Sequence, residues 1–298
     1  MIPPEAPRRS RAAVWLHGAR PRTLPASVAP VVVGTAAAGH VEVWRLAAAL
    51  LVGVGLQVGV NYANDFHDGV RGIDTSERLG PPRLTASGMA SARSVLVAAL
   101  VSIAVAAIAG LALAIATTLW LVPLGAVAML ALWLYSGGPR PYAELGLGEV
   151  MVFLFFGLMA TAGTTYVHAE TVTAAAWWGS VAMGLLAVAI LVANNLRDIP
   201  TDALAGKRTL AVRLRDRPTR WLYRACVVGA FATVILGVVT GDLPGPALLV
   251  VAAAVVAVRP WTLVASARGA ELVAVLVGTG LVQIVFATLL AGGLWVGT

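Results

Sequence analysis

Two stretches of this chain gather oxygen-bearing side chains at the ends of long apolar runs: "GVNYANDFHDGVRGIDT" (59–75) and "VANNLRDIPTDALAGKRTLAVRLRDR" (192–217). In the first, Asn61, Asp65 and Asp68 recur at intervals of four and three, which predicts one shared helical face. Asp74 lies beyond Gly69 and Gly72, which end the helix and let the chain turn back. In the second, Asn194, Asp198 and Asp202 recur at four and four, with Pro200 between the aspartates predicted to bend or end the helix. Asn61 and Asp65 precede Asn194 and Asp198 by the same interval, so the stretches read as two copies of one device facing each other.

Facing carboxylates repel, raise one another's pKa and call for something positive between them. With no His or Cys in the pattern, the donor set suits a hard ion, Mg²⁺ before Ca²⁺. Mg²⁺ takes one or two carboxylates and completes its shell with water and substrate phosphate. Asp65, Asp68, Asp198 and Asp202 are therefore candidate ligands for two magnesium ions bridged by a diphosphate. Lys207, Arg208 and Arg140 are the candidate cations on that diphosphate's other side. Arg197 either joins them or orients Asp198. The competing reading of a single acidic helix end is a solvated cap, and the matched second copy argues against it. Glu149 stands between a site role and an ordinary acid at a helix start. His67 lies off the acidic face, and His17, His40 and His168 show no partner pattern.

The elements that must position these groups are membrane helices. Of the 298 residues 59% are hydrophobic and 12% charged, and the mean hydropathy is +0.86, against roughly 25% charged in soluble domains. Apolar runs of membrane length lie near 24–40, 45–64, 93–114, 116–135, 148–167, 174–195, 222–240, 244–258 and 271–296. They lack the two-residue alternation of barrel strands. The expectation is an all-α integral membrane protein of nine transmembrane helices, one domain over 1–298 with a cytoplasmic tail at 1–19. Nine crossings with the N-terminus inside leave every one of the 21 basic residues except Arg45 on the cytoplasmic face, as the positive-inside rule requires. The formal charge of +7 then reflects anionic lipid and an anionic substrate rather than nucleic acid. Cys226 stands alone inside an apolar run, so no disulfide forms within the chain.

The same residues resemble the UbiA superfamily of membrane prenyltransferases. "NYANDFHDGVRGIDT" matches its first aspartate-rich motif at Asn61, Asp65 and Asp68, and "NNLRDIPTDALAGKRTLAVRL" matches the second at Asp198 and Asp202. "ARPRTLPASVAPVVVGTA", "YSGGPRPYAELGLGEVMVFLFFG" and "GKRTLAVRL" resemble the branch that prenylates 1,4-dihydroxy-2-naphthoate on the way to menaquinone. The resemblance implies helices around a central cavity, capped on the cytoplasmic side and open sideways to the lipid bilayer for a prenyl tail. It implies Mg²⁺-assisted ionisation of a polyprenyl diphosphate and attack by the acceptor ring, with loss of CO₂. Within it, Asn61 and Asn194 coordinate metal or orient its carboxylates, and Arg22 and Tyr142 contact acceptor or phosphate. In this chain Arg140 is displaced from the Tyr that precedes it, relative to many members. Two alternatives stay open: another aromatic acceptor such as 4-hydroxybenzoate or homogentisate, and, from a different class, a cation transporter. The preference for Arg over Lys, with Lys207 the only lysine, points to the plasma membrane of a prokaryote.

Overall fold

The computed structural model describes residues 10–72 and 82–297. Asp74, Arg78 and the first nine residues of the expected tail lie outside the described residues. Among those described, every regular element is helical. A short α1 (Arg11–Ala19) precedes α2 (Pro25–Ala37), α3 (Val43–Val70), α4 (Ala92–Ala116) and α5 (Leu121–Ser136). One rod is then formed by α6 (Gly148–Val152), a π-helical stretch (Phe153–Met159) and α7 (Ala160–Ala169). It is followed by α8 (Ala174–Leu204), the five-residue α9 (Leu210–Leu214) and α10 (Asp216–Val239). A 3₁₀ stretch (Gly245–Ala253) leads into α11 (Ala254–Leu263), and α12 (Leu272–Val296) closes the chain.

Seven of these rods are long and apolar enough to cross a membrane. The expected runs near 24–40 and 116–135 instead form helices of 13 and 16 residues. At 1.5 Å per residue these span about 20 and 24 Å, short of a ~30 Å hydrocarbon core. Pro21 and Pro25 delay the start of α2, and Thr117 breaks the rod between α4 and α5.

In lipid, apolar surface gains nothing by leaving the tails, so helices associate where small residues let backbones approach. This chain follows that rule. Small side chains (Ala29, Ala182, Ala189, Ala230 and Ala287) are buried between α2, α8, α10 and α12, while Leu100, Ile108, Ile115 and Val255 face outward. Gly157 meets the backbone of Gly184, which docks the π-helical stretch against α8. In the most apolar stretch of α8 67% of residues are buried, against 22% for α3 and α4, which makes α8 the central helix and α3 a peripheral one. Thr173 starts α8 by accepting from the amide of Ala176, and its hydroxyl donates to the Ala37 carbonyl.

Pro200 does not end α8, contrary to the expectation. The helix runs four residues further to Leu204, with Pro200 forgoing the one intrahelical bond that its missing N–H would have made. Asp198 and Asp202 therefore sit one turn apart on one continuous helix. The stop comes at Gly206, which is left-handed at φ 76° and returns the Lys207 amide to the Asp202 carbonyl at 2.9 Å, a Schellman-type end. Gly72, at φ 67°, turns the chain after α3 in the same way.

Candidate active site

The ends of α3 and α8 meet across one polar cavity. It is lined by Asn64 and Asp68 from α3, and by Asn194, Asn195, Asp198 and Asp202 from α8. Arg20, Arg83 and Lys207 bring cations, and Tyr135, Ser136 and Glu144 close it from the end of α5 and the following loop. The two acidic stretches are therefore neighbours in space, as the sequence predicted, although not every predicted residue faces the cavity.

On α3 the expected single face is split. Asp68 turns to the cavity: its Oδ2 accepts from Lys207 Nζ at 2.9 Å and lies 3.6 Å from Arg83 Nη2. Its Oδ1 is buried with no hydrogen-bond partner among the described residues. Asn61 and Asp65 do not line the cavity. The Asn61 amide donates to the Ala19 carbonyl and the Thr23 hydroxyl, at 2.9 and 3.1 Å. Both oxygens of the buried Asp65 carboxylate accept backbone amides, from Leu84 at 2.8 Å and Thr85 at 2.9 Å. The physical reason lies in what packs on α3. Its side carrying Asn61, Tyr62 and Asp65 is covered by α1 and the 82–90 segment, where Tyr62 donates to the Trp15 carbonyl and packs with Leu84. Asn64, four residues before Asp68, takes the place on the cavity wall that Asn61 was expected to hold. Its Oδ1 accepts from the Ser136 hydroxyl at 2.6 Å.

On α8 all three expected residues line the cavity. Arg197 is committed to Asp198 by a bidentate pair, with both N···O distances 2.7 Å, and its Nη2 also reaches Asn194 Oδ1 at 2.9 Å. Arg197 is thus turned onto Asp198 and Asn194 and does not line the cavity. Both members of this pair are almost fully buried, where bidentate geometry is needed to offset desolvation. Glu149 is buried at the start of α6 and accepts from the Asn195 amide at 3.0 Å. It supports the cavity from behind rather than capping a solvated end.

The remaining predicted cations are placed differently. Arg22, Arg140 and Arg208 are exposed and do not line the cavity; the Arg208 carbonyl accepts from Arg213 Nε at 2.9 Å. Their places are taken by Arg20 and Arg83. Arg20 has a left-handed backbone (φ 53°) between α1 and Pro21, a turn that spacing alone does not signal. Tyr142 is half-buried outside the lining and stacks edge-on against Tyr135 at 5.5 Å. Burial pushes its phenol well above the ordinary value, so it remains a neutral hydrogen-bonding group near neutral pH. The loop that bears it is strapped to the end of α3 by the Arg71 to Glu144 ion pair at 2.7 Å.

Among the described residues, no three His, Cys, Asp or Glu side chains close around a single point. The donor set nonetheless fits an oxygen-preferring divalent ion. Carboxylates come from two helices, no imidazole or thiolate competes, and Asp68 Oδ1 is a buried acceptor awaiting a partner. Magnesium binds through few carboxylates and leaves other positions to water and phosphate.

Known proteins share this architecture. The model of the UbiA prenyltransferase family matches residues 27–277. A 1,4-dihydroxy-2-naphthoate octaprenyltransferase of Mycobacterium tuberculosis is 49% identical over 286 residues, covering 95% of this chain and 97% of that one. The Escherichia coli protein described by the same words is 37% identical over 228 residues, 74% of each chain. Among solved structures, a UbiA homolog from Archaeoglobus fulgidus bound to GPP and Mg²⁺ has a TM-score of 0.66 at 15% identity, covering 95% of this chain and 99% of that one.

Proposed function

Since the chain belongs to the UbiA prenyltransferase family, we propose that it transfers the polyprenyl group of a polyprenyl diphosphate to 1,4-dihydroxy-2-naphthoate, with loss of CO₂, in menaquinone biosynthesis. The observation that carries the acceptor is the near full-length likeness to the mycobacterial relative. What supports the reaction type is the meeting of two acidic helix ends with Arg20, Arg83 and Lys207.

On this reading Asp68, Asp198 and Asp202 would hold Mg²⁺, two ions in all, and Asn194 and Arg197 fix the direction of Asp198. Bound Mg²⁺ supplies Lewis-acid stabilisation of the charge that builds on the diphosphate oxygens. Lys207 leaves Asp68 for those oxygens and, with Arg20 and Arg83, binds the diphosphate and disperses its charge as the C1–O bond breaks. The bonding pair departs with the diphosphate. A ring carbon of the acceptor then forms the C–C bond to C1, and the carboxylate on that ring carbon leaves as CO₂, which restores aromaticity without a strong base. Tyr135, Tyr142 and the Arg71 to Glu144 strap keep water from the allylic cation. Asn61 and Asp65 hold the frame, and Arg22, Arg140 and Arg208 lie outside the reacting centre.

The same contacts support nine crossings. Arg20, Asp68 and Lys207 share one cavity, so the chain crosses an even number of times between each pair. That holds only if α2 crosses with α3, and α5 with α4, α6–α7 and α8, despite their length. Three more crossings by α10, the α11 rod and α12 follow. The distribution of basic residues supports a cytoplasmic shared face and N-terminus, in the plasma membrane of a prokaryotic cell.

The test is product formation by the purified protein with Mg²⁺, a polyprenyl diphosphate and a choice of acceptors, read by mass spectrometry. Prenylated, decarboxylated product from 1,4-dihydroxy-2-naphthoate in preference to 4-hydroxybenzoate or homogentisate is expected. Absence of product from the naphthoate sinks the proposal.

A further inference from the structure

Away from the cavity, the first turns of α10 carry a cation, Arg224, with no ion pair among the described residues. Arg217, Trp221 and Arg224 recur at intervals of four and three and so share a stripe of that helix. The Arg224 guanidinium lies between two indoles, 5.5 Å from the ring of Trp221 and 5.1 Å from that of Trp261 on α11. Its Nε is buried with no hydrogen-bond partner among the described residues. The carboxylate nearest in sequence is already used: the oxygens of Asp216 accept from Arg220 Nε and Nη2, and Arg220 also ties α10 to the carbonyls of Val264, through Nη1, and Ala267, through Nη2. Glu271 accepts from the Arg268 amide. Exposed Arg217 and Arg259 and the nearby Arg268 add further positive charge at this end of α10 and α11.

Depth decides what answers that charge. α10 has 24 residues, about 36 Å at 1.5 Å each, so it exceeds a ~30 Å hydrocarbon core by little more than a turn. Arg224 lies about 12 Å along α10 from Asp216, several Å below the headgroup level, where an unpaired guanidinium is costly and a helical side chain tilts back towards the helix N-terminus and the headgroups. Trp221 is 59% exposed, the placement of an interfacial anchor. Cation–π contact with two indoles restrains the guanidinium, a group whose planar fork suits an oxyanion. We infer that Arg224, held between Trp221 and Trp261 and assisted by Arg217, binds the phosphate of an anionic phospholipid. A net-negative headgroup is favoured over a zwitterionic one, because the surrounding arginines repel a choline.

Native mass spectrometry of the full chain, reconstituted in phosphatidylcholine with phosphatidylglycerol and then released into mild detergent, tests this. Wild type is expected to retain phosphatidylglycerol preferentially. Arg224→Gln should retain about fivefold less, the equivalent of roughly 1 kcal/mol per basic residue near a lipid surface. Arg224→Lys, which keeps the charge but not the planar fork, should fall between them. Arg140→Gln, an exposed arginine of the cavity-side loop, should match wild type. Millimolar inorganic phosphate should not displace the lipid; if it does, the site takes a free anion and the proposal fails. It also fails if Arg224→Gln and Arg224→Lys both retain phosphatidylglycerol as wild type does, or if wild type does not prefer it. Prenyl transfer measured on the same samples verifies that the variants are folded.

Discussion

The ends of α3 and α8 carry the same residue types at nearly the same spacing, and the fold uses them differently. On α8, the central helix, Asn194, Asp198 and Asp202 all face the cavity, with Arg197 steering Asp198. On α3, a peripheral helix clasped by α1 and the 82–90 segment, only Asp68 of the three predicted residues does so. Asp65 instead anchors the backbone of Leu84 and Thr85, and the adjoining residue of that segment, Arg83, is delivered to Asp68. One acid of the peripheral arm is spent on building the wall that carries a cation. A motif therefore specifies which atoms are available, and packing decides which of them line the cavity.

The largest effect is expected from neutralising one cavity-facing aspartate of each arm. Asp68→Asn and Asp198→Asn should each lower kcat by about 10²–10³, the usual consequence of removing one preorganised electrostatic group, measured as product per minute at saturating substrates. Equal losses at both positions would sharpen the view of two arms acting as one. Lys207→Met should follow, with kcat/KM for the prenyl diphosphate reduced by about 10–100-fold, since a hydrogen bond to a charged group contributes roughly 1.5–3 kcal/mol. Its readout is the dependence of rate on diphosphate concentration, with the acceptor KM unchanged.

Asp65→Asn should act on the fold rather than the chemistry. An amide can replace one of the two accepting oxygens, so a loss of about 1–3 kcal/mol of stability is expected from the other unsatisfied buried group, read as a lower Tm in detergent. The smallest effects contrast Arg20 with Arg22. Arg22→Gln, exposed and outside the lining, should change kcat/KM less than threefold, within the about 0.5 kcal/mol usual for surface changes. Arg20→Gln should lower it measurably more.

Much of this was legible in the sequence. Apolar runs located the rods, and the repeated Asn and Asp spacing located both arms, because burial in lipid and metal chemistry each leave a strong compositional mark. The division of labour along α3 was not legible. Asn61, Asn64, Asp65 and Asp68 all fall within two turns, and which side faces the cavity depends on where α1 docks, a contact made through Tyr62 and the Trp15 carbonyl. A hint was present in the interval of four from Asn64 to Asp68, identical to that from Asn194 to Asp198. Arg20 was hidden by a left-handed turn, and Arg83 by reaching the cavity only through Asp65. The persistence of α8 through Pro200 was not legible either, because an interior proline kinks some helices and ends others.

The central claim is that Asp68, and not Asp65, is the metal-holding acid of the first arm. It is tested most directly by titrating Mg²⁺ into the prenyl transfer reaction of Asp68→Asn and Asp65→Asn at a temperature where both are folded. A large rise in the Mg²⁺ concentration for half-maximal rate is expected in Asp68→Asn, and wild-type Mg²⁺ dependence in Asp65→Asn. A rise in Asp65→Asn equal to that of Asp68→Asn, or wild-type Mg²⁺ dependence in Asp68→Asn, would contradict it.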